Sequence, residues 1–304
     1  MLTIFTIPKP FDGHIGLIQR NAIKSWALLS PSVEIILIGD EPGVKETACE
    51  ANLRHLPTIA KNKFGTPLLN DAFTLANKGA RFNLLLYMNC DVILTQDLFG
   101  AIARLKGRTK PYAMIGGAWG LDIDFELTFG DNWEQELRSE ARNKAKRRGA
   151  NAIEYFLFTR GLWPDVPPFA VGRTRYDNWL MRQARKQSIP VIDASDSVLA
   201  IHQNHHYPKE LSCKLSAEPN ISRWSNPELK ENERLLGLTY LFTTKHATHI
   251  LSSNGVRRVW RRDYLLSRVM GRIMLILEKS VFMTLVFNFF IRQVRYIHTK
   301  LIQD

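Results

Sequence analysis

Hydrophobic positions in the first ninety residues alternate between a strand period and a helix period. Leu2 to Ile7 is a short β-branched apolar run that ends at prolines, which predicts a strand. Residues 15–29 place Ile15, Ile18, Ala22, Trp26 and Leu29 at helical spacing, and Ser30-Pro31 stops the helix. Val33 to Gly39 is almost wholly aliphatic, as a parallel strand buried on both faces would be. A helix over Val44–Ala51, an extended piece over Arg54–Ile59, a loop over Lys61–Pro67, a helix over Leu68–Gly79 and a strand over Asn83–Met88 follow. This alternation predicts an α/β fold with a mostly parallel central sheet flanked by helices. In such sheets ligands sit outside the carboxyl ends of the strands, so Pro8–Asp12, Asp40–Glu41 and Asn89–Asp91 are expected to converge.

The middle of the chain is less regular. Strand-like runs at Pro111–Gly116, Ala152–Thr159 and Val191–Ile201 are separated by long irregular stretches, one of them the proline-rich Leu162–Phe169. A helix is expected from Asp177 through Arg185 and a further one over Glu228–Leu236. No internal repeat is present, and residues 203–255 are polar and weakly periodic. The sequence therefore divides into a catalytic-type α/β domain over 1–210, a polar connecting region over 211–255 and a helical tail over 256–304.

Charge changes the picture in the tail. The chain of 304 residues carries a net +12, and residues 256–304, with ten Lys or Arg against three Asp or Glu, hold +7 of it. A second basic knot runs from Arg142 to Arg148. On a helical wheel Val259, Leu266, Met270, Ile273 and Leu277 share one side, with Arg257, Arg261, Arg268, Arg272 and Lys279 near the other. Val281 to Ile291 is then apolar nearly all round but shorter than the roughly 20 residues that span a bilayer. A basic amphipathic helix before an aromatic-rich segment has the character of one lying at an anionic membrane surface.

Composition sets the outer bounds. A hydrophobic fraction of 45% with 23% charged residues is that of a folded globular protein and excludes disordered and collagen-like classes. Three scattered cysteines exclude a disulfide framework and a thiolate zinc site. The N-terminal apolar run is too short for a signal peptide and lacks a basic n-region, so the expected location is cytoplasmic, peripheral at the inner face of a membrane.

Three segments carry residue types suited to chemistry. The apolar strand ending at Met88 delivers Asn89-Cys90-Asp91, where a carboxylate oxygen can meet a hard cation such as Mg²⁺ or Mn²⁺. Val171–Trp179 contains a glycine turn entering a helix with Asp177 in its first turn, a place that fixes a carboxylate and favours its ionised form. His202, His205 and His206 close the strand-like run after Val191 and suit a borderline metal or phosphate oxygens. Lys9 and Arg173 are candidates for phosphate or acceptor contacts, and Trp119, Trp163 and Trp179 offer faces on which a sugar can stack.

Taken in order, these pieces resemble the GT-A fold glycosyltransferases over roughly Leu2 to Tyr207. Thr6-Ile7-Pro8-Lys9-Pro10-Phe11 is similar to the family's nucleotide-binding first strand, and Asn62–Pro67 to a loop bordering the nucleotide. The resemblance implies a donor side formed by Thr6, Pro8, Lys9, Asp40, Asn62, Phe64 and Asn89, with Asp91, His202 and His205 as metal ligands. It implies Asp177 as the base on the acceptor hydroxyl, and an acceptor side at Gly116–Asp122, including Trp119 and Asp122, together with Arg173 and Trp179. Position 89 departs from the family's DxD element, being Asn where the fuller motif has Asp, so one carboxylate is missing from the metal site.

The function expected is sugar transfer from a nucleotide-diphosphate donor to a hydroxyl on a glycan or lipid-linked acceptor, with Mn²⁺ or Mg²⁺ as cofactor. Departing phosphate charge needs a cation, and the incoming hydroxyl needs a carboxylate within reach. Two other classes compete. Asn89 is the argument for a catalytically inactive, membrane-bound nucleotide-sugar-binding scaffold. The basic knot is the argument for a nucleic-acid-binding protein, against which no RNA or DNA motif appears and aromatics do not interleave with the basic runs.

Overall fold

The structure, a computed structural model, describes residues 1–205, 226–237, 241–260 and 262–277. The first half follows the predicted alternation: β1 (Leu2–Thr6), α1 (Gly13–Ala27), β2 (Glu34–Ile38), α2 (Val44–Glu50), β3 (Arg54–Leu56), α3 (Leu69–Gly79) and β4 (Leu84–Met88). Next come β5 (Val92–Leu94), α4 (Asp97–Ala103), β6 (Ala113–Gly116), β7 (Trp119–Leu121), α5 (Trp133–Lys144), β8 (Lys146–Arg147), β9 (Tyr155–Thr159) and α6 (Tyr176–Lys186). The remainder is β10 (Val191–Asp193), β11 (Ala200–Gln203), α7 (Pro227–Leu236), β12 (His249–Ser252), β13 (Gly255–Arg258) and α8 (Arg262–Leu277).

A nine-stranded sheet has the order β13-β12-β10-β6-β9-β4-β1-β2-β3. Only β9 and β13 run against the rest, so the sheet is mostly parallel as expected. Alternate residues of its strands feed two cores. Phe5, Ile36, Leu85, Phe156 and Phe158 face α3 and α6 through Phe73, Ala76, Leu180 and Met181. Ile4, Ile35, Leu86, Met114 and Leu157 face α1, α2 and α4 through Ala22, Trp26, Val44, Ala48, Leu98 and Ala101. The aliphatic run of β2 is thus buried on both faces, which is why it carries no polar alternation.

A second, four-stranded sheet has the order β5-β11-β7-β8 and packs on α5 through Ile93, Leu121, Leu137 and Ile201. The chain leaves the large sheet at Met88 and enters the small one at Val92, so Asn89, Cys90 and Asp91 form the joint between two sheets.

Three expectations are corrected. The run Val191–Ile201 is two strands in different sheets, because the Asp193 carboxylate accepts from the backbone and side chain of Ser195 and turns the chain out of the large sheet. Residues from the expected connecting region are built into the domain, because α7 packs Leu236 into the core and the β12–β13 hairpin forms the sheet edge across the drawn boundary at 255. The basic knot spans the end of α5 and β8, and three of its five cations meet partners within the protein: Lys144 with Glu140 at 2.9 Å, Arg147 with Asp196 at 2.6 Å and Arg148 with Glu154 at 2.7 Å. The apolar run 281–291 and His206 lie outside the described residues.

Candidate functional site

The site forms where the joint between the sheets meets the end of β11. Antiparallel register sets His202 opposite Val92, beside Asp91, and Gln203 N–H donates to the Asp91 carbonyl at 3.1 Å. Two buried amides lock this register: Gln203 Nε2 donates to the Ile18 and Asp91 carbonyls, and Asn21 Nδ2 donates to Gln203 Oε1. His202 Nδ1 stands 3.6 Å from Asp91 Oδ1, and His205 Nε2 3.1 Å from Asp91 Oδ2. One ligand atom from each of Asp91, His202 and His205 lies within 4.8 Å of the others. Asp91 Oδ1 is buried and makes no hydrogen bond, so the triad holds a polar atom that a cation would satisfy. One carboxylate with two imidazoles is a donor set for a divalent transition-metal ion rather than for Mg²⁺, which prefers oxygen ligands alone.

Electrostatics favour an ionised Asp91. Burial pushes its carboxyl up, but the His202, His205 and Lys9 charges outweigh that and hold it far below the usual carboxylate range. Burial likewise disfavours the charged form of His202, yet Asp91 and Glu154 together raise its pKa above the ordinary histidine value.

Glu154 is the residue that sequence reasoning missed. It is buried, one residue before β9, with Oε2 3.4 Å from His202 Nδ1 and Oε1 2.7 Å from Arg148 Nε. The signal was present, since it is the one charged residue within the otherwise apolar run Ala152–Phe158.

Asp177 enters from the other side. It sits half-buried in the first turn of α6. Burial pushes its carboxyl up to about 6, with the negative charge of Glu154 adding to the rise and the Asn178 backbone amide and Arg175 opposing it. Its neighbour Tyr176 donates from Oη to Asn89 Oδ1 at 3.1 Å, which ties the start of α6 to the joint that carries Asp91.

The loop before Asp177 is held by α7. Asn226 caps that helix by accepting from the Glu228 and Leu229 amides, and Pro227 follows in the first turn. Buried Asn232 accepts from Ala170 N–H and donates to the Ala170 and Thr174 carbonyls. Arg173 forks onto Glu228 at 3.0 and 2.5 Å, and Arg175 onto Glu233 at 3.2 and 2.7 Å. Arg175 is also left-handed at φ +99°, a strained conformation for a residue other than glycine, and sits immediately before α6.

The remaining expected residues divide. Thr6 and Pro8 are buried at the end of β1, and Phe11 N–H donates to the Pro42 carbonyl, so the carboxyl ends of β1 and β2 do meet. Lys9 is close enough to depress the Asp91 carboxyl. Asp40 is exposed and paired with Lys61 at 2.7 Å. Asn62 organises its own loop by accepting from the Phe64 and Thr66 amides, and donates to Glu228 at 2.7 Å. Exposed Phe64 borders a cavity of about 270 Å³ between that loop and α7, lined also by Leu68, Ala170, Glu228 and Asn232. On the acceptor side Trp119 is half-buried under the Arg147 guanidinium, and exposed Asp122 accepts from Asn204 at 2.8 Å. Two placements differ from expectation. Arg173 is occupied by Glu228, and Trp179 turns into the core against Phe169 because its position on α6 faces the sheet. Trp163 is core as well, its Nε1 donating to the Leu180 carbonyl.

No family model matches the chain, and no curated protein matches it by sequence. Solved structures with a similar arrangement include TarS 1-349 of S. aureus in complex with UDP-GlcNAc, at 13% identity and a TM-score of 0.48 over 78% of this chain. This chain covers 65% of that one, just under two thirds of its length. A mannosyltransferase, PcManGT from Pyrobaculum calidifontis in complex with GDP-Man and Mn²⁺, is similar at 13% identity and a TM-score of 0.42, with 68% of this chain and 57% of that one covered. Glucosyl-3-phosphoglycerate synthase of M. tuberculosis is similar at 10% identity and a TM-score of 0.43, with coverages of 69% and 75%.

Proposed function

We propose that the chain is a glycosyltransferase that moves a sugar from a nucleotide-diphosphate donor to a hydroxyl acceptor, a glycan or a lipid-linked glycan. One observation carries the reading: the buried Asp91–His202–His205 triad and the raised carboxyl of Asp177 are joined through Tyr176–Asn89 and Glu154, although they come from three distant parts of the chain. In the reaction the bond between the sugar's anomeric carbon and the diphosphate oxygen breaks, and a bond from that carbon to the acceptor oxygen forms. Asp177 takes the acceptor proton, and the nucleoside diphosphate leaves with the electron pair. A carboxyl poised near pH 6 is suited to that proton transfer at neutral pH.

Asp91, His202 and His205 are the residues that would hold a divalent cation, whose contribution when bound is to neutralise the diphosphate charge. The donor side would be Thr6, Pro8 and Lys9 with the Asn62–Phe64 loop, where the cavity beside Phe64 has room for a nucleobase. The acceptor side would be Trp119 and Asp122. Asn89 favours a second reading, a nucleotide-sugar-binding protein without turnover; against it, the Asn89 side chain already has a positioning part in accepting from Tyr176 Oη.

The test is release of nucleoside diphosphate from a panel of UDP- and GDP-sugars, with Mn²⁺, with Mg²⁺ and with chelator. Turnover in the parent that is lost in both Asp91→Ala and Asp177→Asn, with unchanged circular dichroism, supports the reading. Binding without release establishes the scaffold instead, and equal turnover in the variants overturns the site.

A further inference from the structure

Helix α8 is docked by one face and apolar on the other. Its inner face is close-packed: a Cβ on Gly271 would stand 2.9 Å from His246 and 3.1 Å from Phe242, Met274 is buried, and Tyr264 Oη donates to Asp193 at 2.7 Å. The outward face carries Leu266, Val269, Ile273 and Ile276, between 39% and 66% exposed, at the 3, 4 and 3 spacing of one helical stripe. Trp260, 72% exposed, lies just before the helix. A helix packed on a globular domain ordinarily turns polar residues outward. Here the outward stripe differs from the one the wheel suggests, because Val259 is buried, Met270 is half-buried, and Val269 and Ile276 take the exposed positions.

Beside the stripe stands a crowd of arginines. Arg268 and Arg272 on α8, Arg185 at the end of α6 and Arg258 on β13 lie close enough to repel one another. Burial lowers Arg185 to about 10, and the charges of Arg268 and Arg272 add to that. Among the described residues none of these four pairs with a carboxylate, and Asp263, the acidic residue of the helix, stands 3.7 Å from Lys245. Unneutralised cations flanking an apolar stripe and an exposed tryptophan match a surface that is anionic outside and apolar just beneath.

We infer that the outer face of α8, with Trp260 and the flanking Arg258, Arg268 and Arg272, is a docking surface for a bilayer containing anionic phospholipid. Leu266, Val269, Ile273 and Ile276 enter the headgroup–acyl boundary, and the arginines meet phosphate at its edge. Among the described residues no helix is long and apolar enough to cross a membrane, so this is attachment in the plane of the interface. The inference goes beyond the transferase reading and stands whether or not that reading holds.

The experiment is vesicle flotation of the full chain with phosphatidylcholine alone and with phosphatidylcholine containing about a third phosphatidylglycerol, at low and high salt. The parent is expected to bind the anionic vesicles at least tenfold better than the neutral ones, with salt reversing the difference. Val269→Glu/Ile273→Glu is expected to lose at least tenfold, and Arg258→Gln and Arg272→Gln to lose roughly fivefold each on anionic vesicles only. All sites are exposed, and melting temperatures within a few degrees of the parent verify folding; Leu266→Ser is the milder second variant. Absence of parent binding to anionic vesicles overturns the inference. So does parent-level binding by the stripe variants, which assigns any binding to residues 278–304. A concentration-dependent dimer that Val269→Glu/Ile273→Glu dissolves, without vesicle binding, assigns the face to a second copy and also overturns it.

Discussion

Tyr176 Oη lies 3.1 Å from Asn89 Oδ1 and donates to it across 87 residues of sequence. Each residue is adjacent or nearly adjacent to one that the proposed chemistry uses, Tyr176 to Asp177 and Asn89 to Asp91. The bond therefore ties the start of α6, which carries Asp177, to the joint that carries Asp91, and an amide at position 89 supplies the acceptor without placing a second negative charge beside Asp91.

Tyr176→Phe removes that bond and keeps the ring, which packs edge-on against Tyr87 at 5.8 Å. A single hydrogen bond is worth about 1 kcal/mol, so the melting temperature should fall by only a few degrees. Turnover should fall more than donor affinity, about tenfold in kcat with KM for the donor within twofold. Steady-state kinetics at saturating cation checks this, and an unchanged kcat would remove the positioning role.

Asp177 should govern the acid limb of activity. It works as a base only when ionised, so kcat/KM should rise with pH through about 6 and level off above it. Asp177→Asn should lose between about 10² and 10⁴ in rate and show no such limb. The folded state binds this proton more tightly than the unfolded chain, whose carboxyl titrates near 3.8. The group thus stabilises the protein most below pH 4, and that contribution is lost as pH rises from about 4 to 6, a change of about 2 kcal/mol. Asp177→Asn should therefore melt higher than the parent above pH 6. Thermal melts across pH 4–8 test the sign.

Glu154 links His202 to the Asp177 side of the site. Glu154→Gln keeps the shape but removes the negative charge that faces His202 and raises Asp177. Weakened support of a metal-ligating histidine costs about 10- to 100-fold in cation affinity. Loss of the charge should also move the acid limb of Asp177 to lower pH. Mn²⁺ titration by calorimetry reads the first effect, and a pH–rate profile at saturating Mn²⁺ reads the second; a purely structural glutamate would move neither.

Asn232→Ala tests the clamp of α7 on the loop that leads to Asp177. The substitution leaves the Ala170 amide and the Ala170 and Thr174 carbonyls without their side-chain partner in a buried setting. Each orphaned group costs about 1–3 kcal/mol, less what water recovers, so a loss of about 3 kcal/mol is expected. Denaturant unfolding gives the stability, and single-turnover rates below the new midpoint give the catalytic consequence, which should exceed tenfold.

The order of strands and helices in the first ninety residues was legible because both of its signals are local. A two-faced buried strand such as β2 is aliphatic throughout, and a helix such as α1 repeats its apolar positions every third or fourth residue. The candidate positions Asp91, Asp177, His202 and His205 were legible for a related reason: polar groups at strand ends and helix starts stand out against apolar runs. Their convergence was expected only through the family resemblance, because no local pattern carries it. It depends on β11 pairing beside β5 in the small sheet, a register locked by Gln203 and Asn21 from distant segments. Glu154 and the part that α7 plays escaped notice because a lone glutamate and a polar helix acquire meaning only from what they touch. Trp179 and Arg173 went the other way, since residue type alone does not say whether a ring faces the sheet or a guanidinium has found a carboxylate. Sequence by itself determined the alternation, the charge distribution and the chemistry on offer, all properties of neighbouring residues. Tertiary structure alone decided that Glu154 joins those groups while Arg173 and Trp179 are taken up elsewhere, and which face of α8 meets solvent, because those outcomes follow from pairings made across the whole chain.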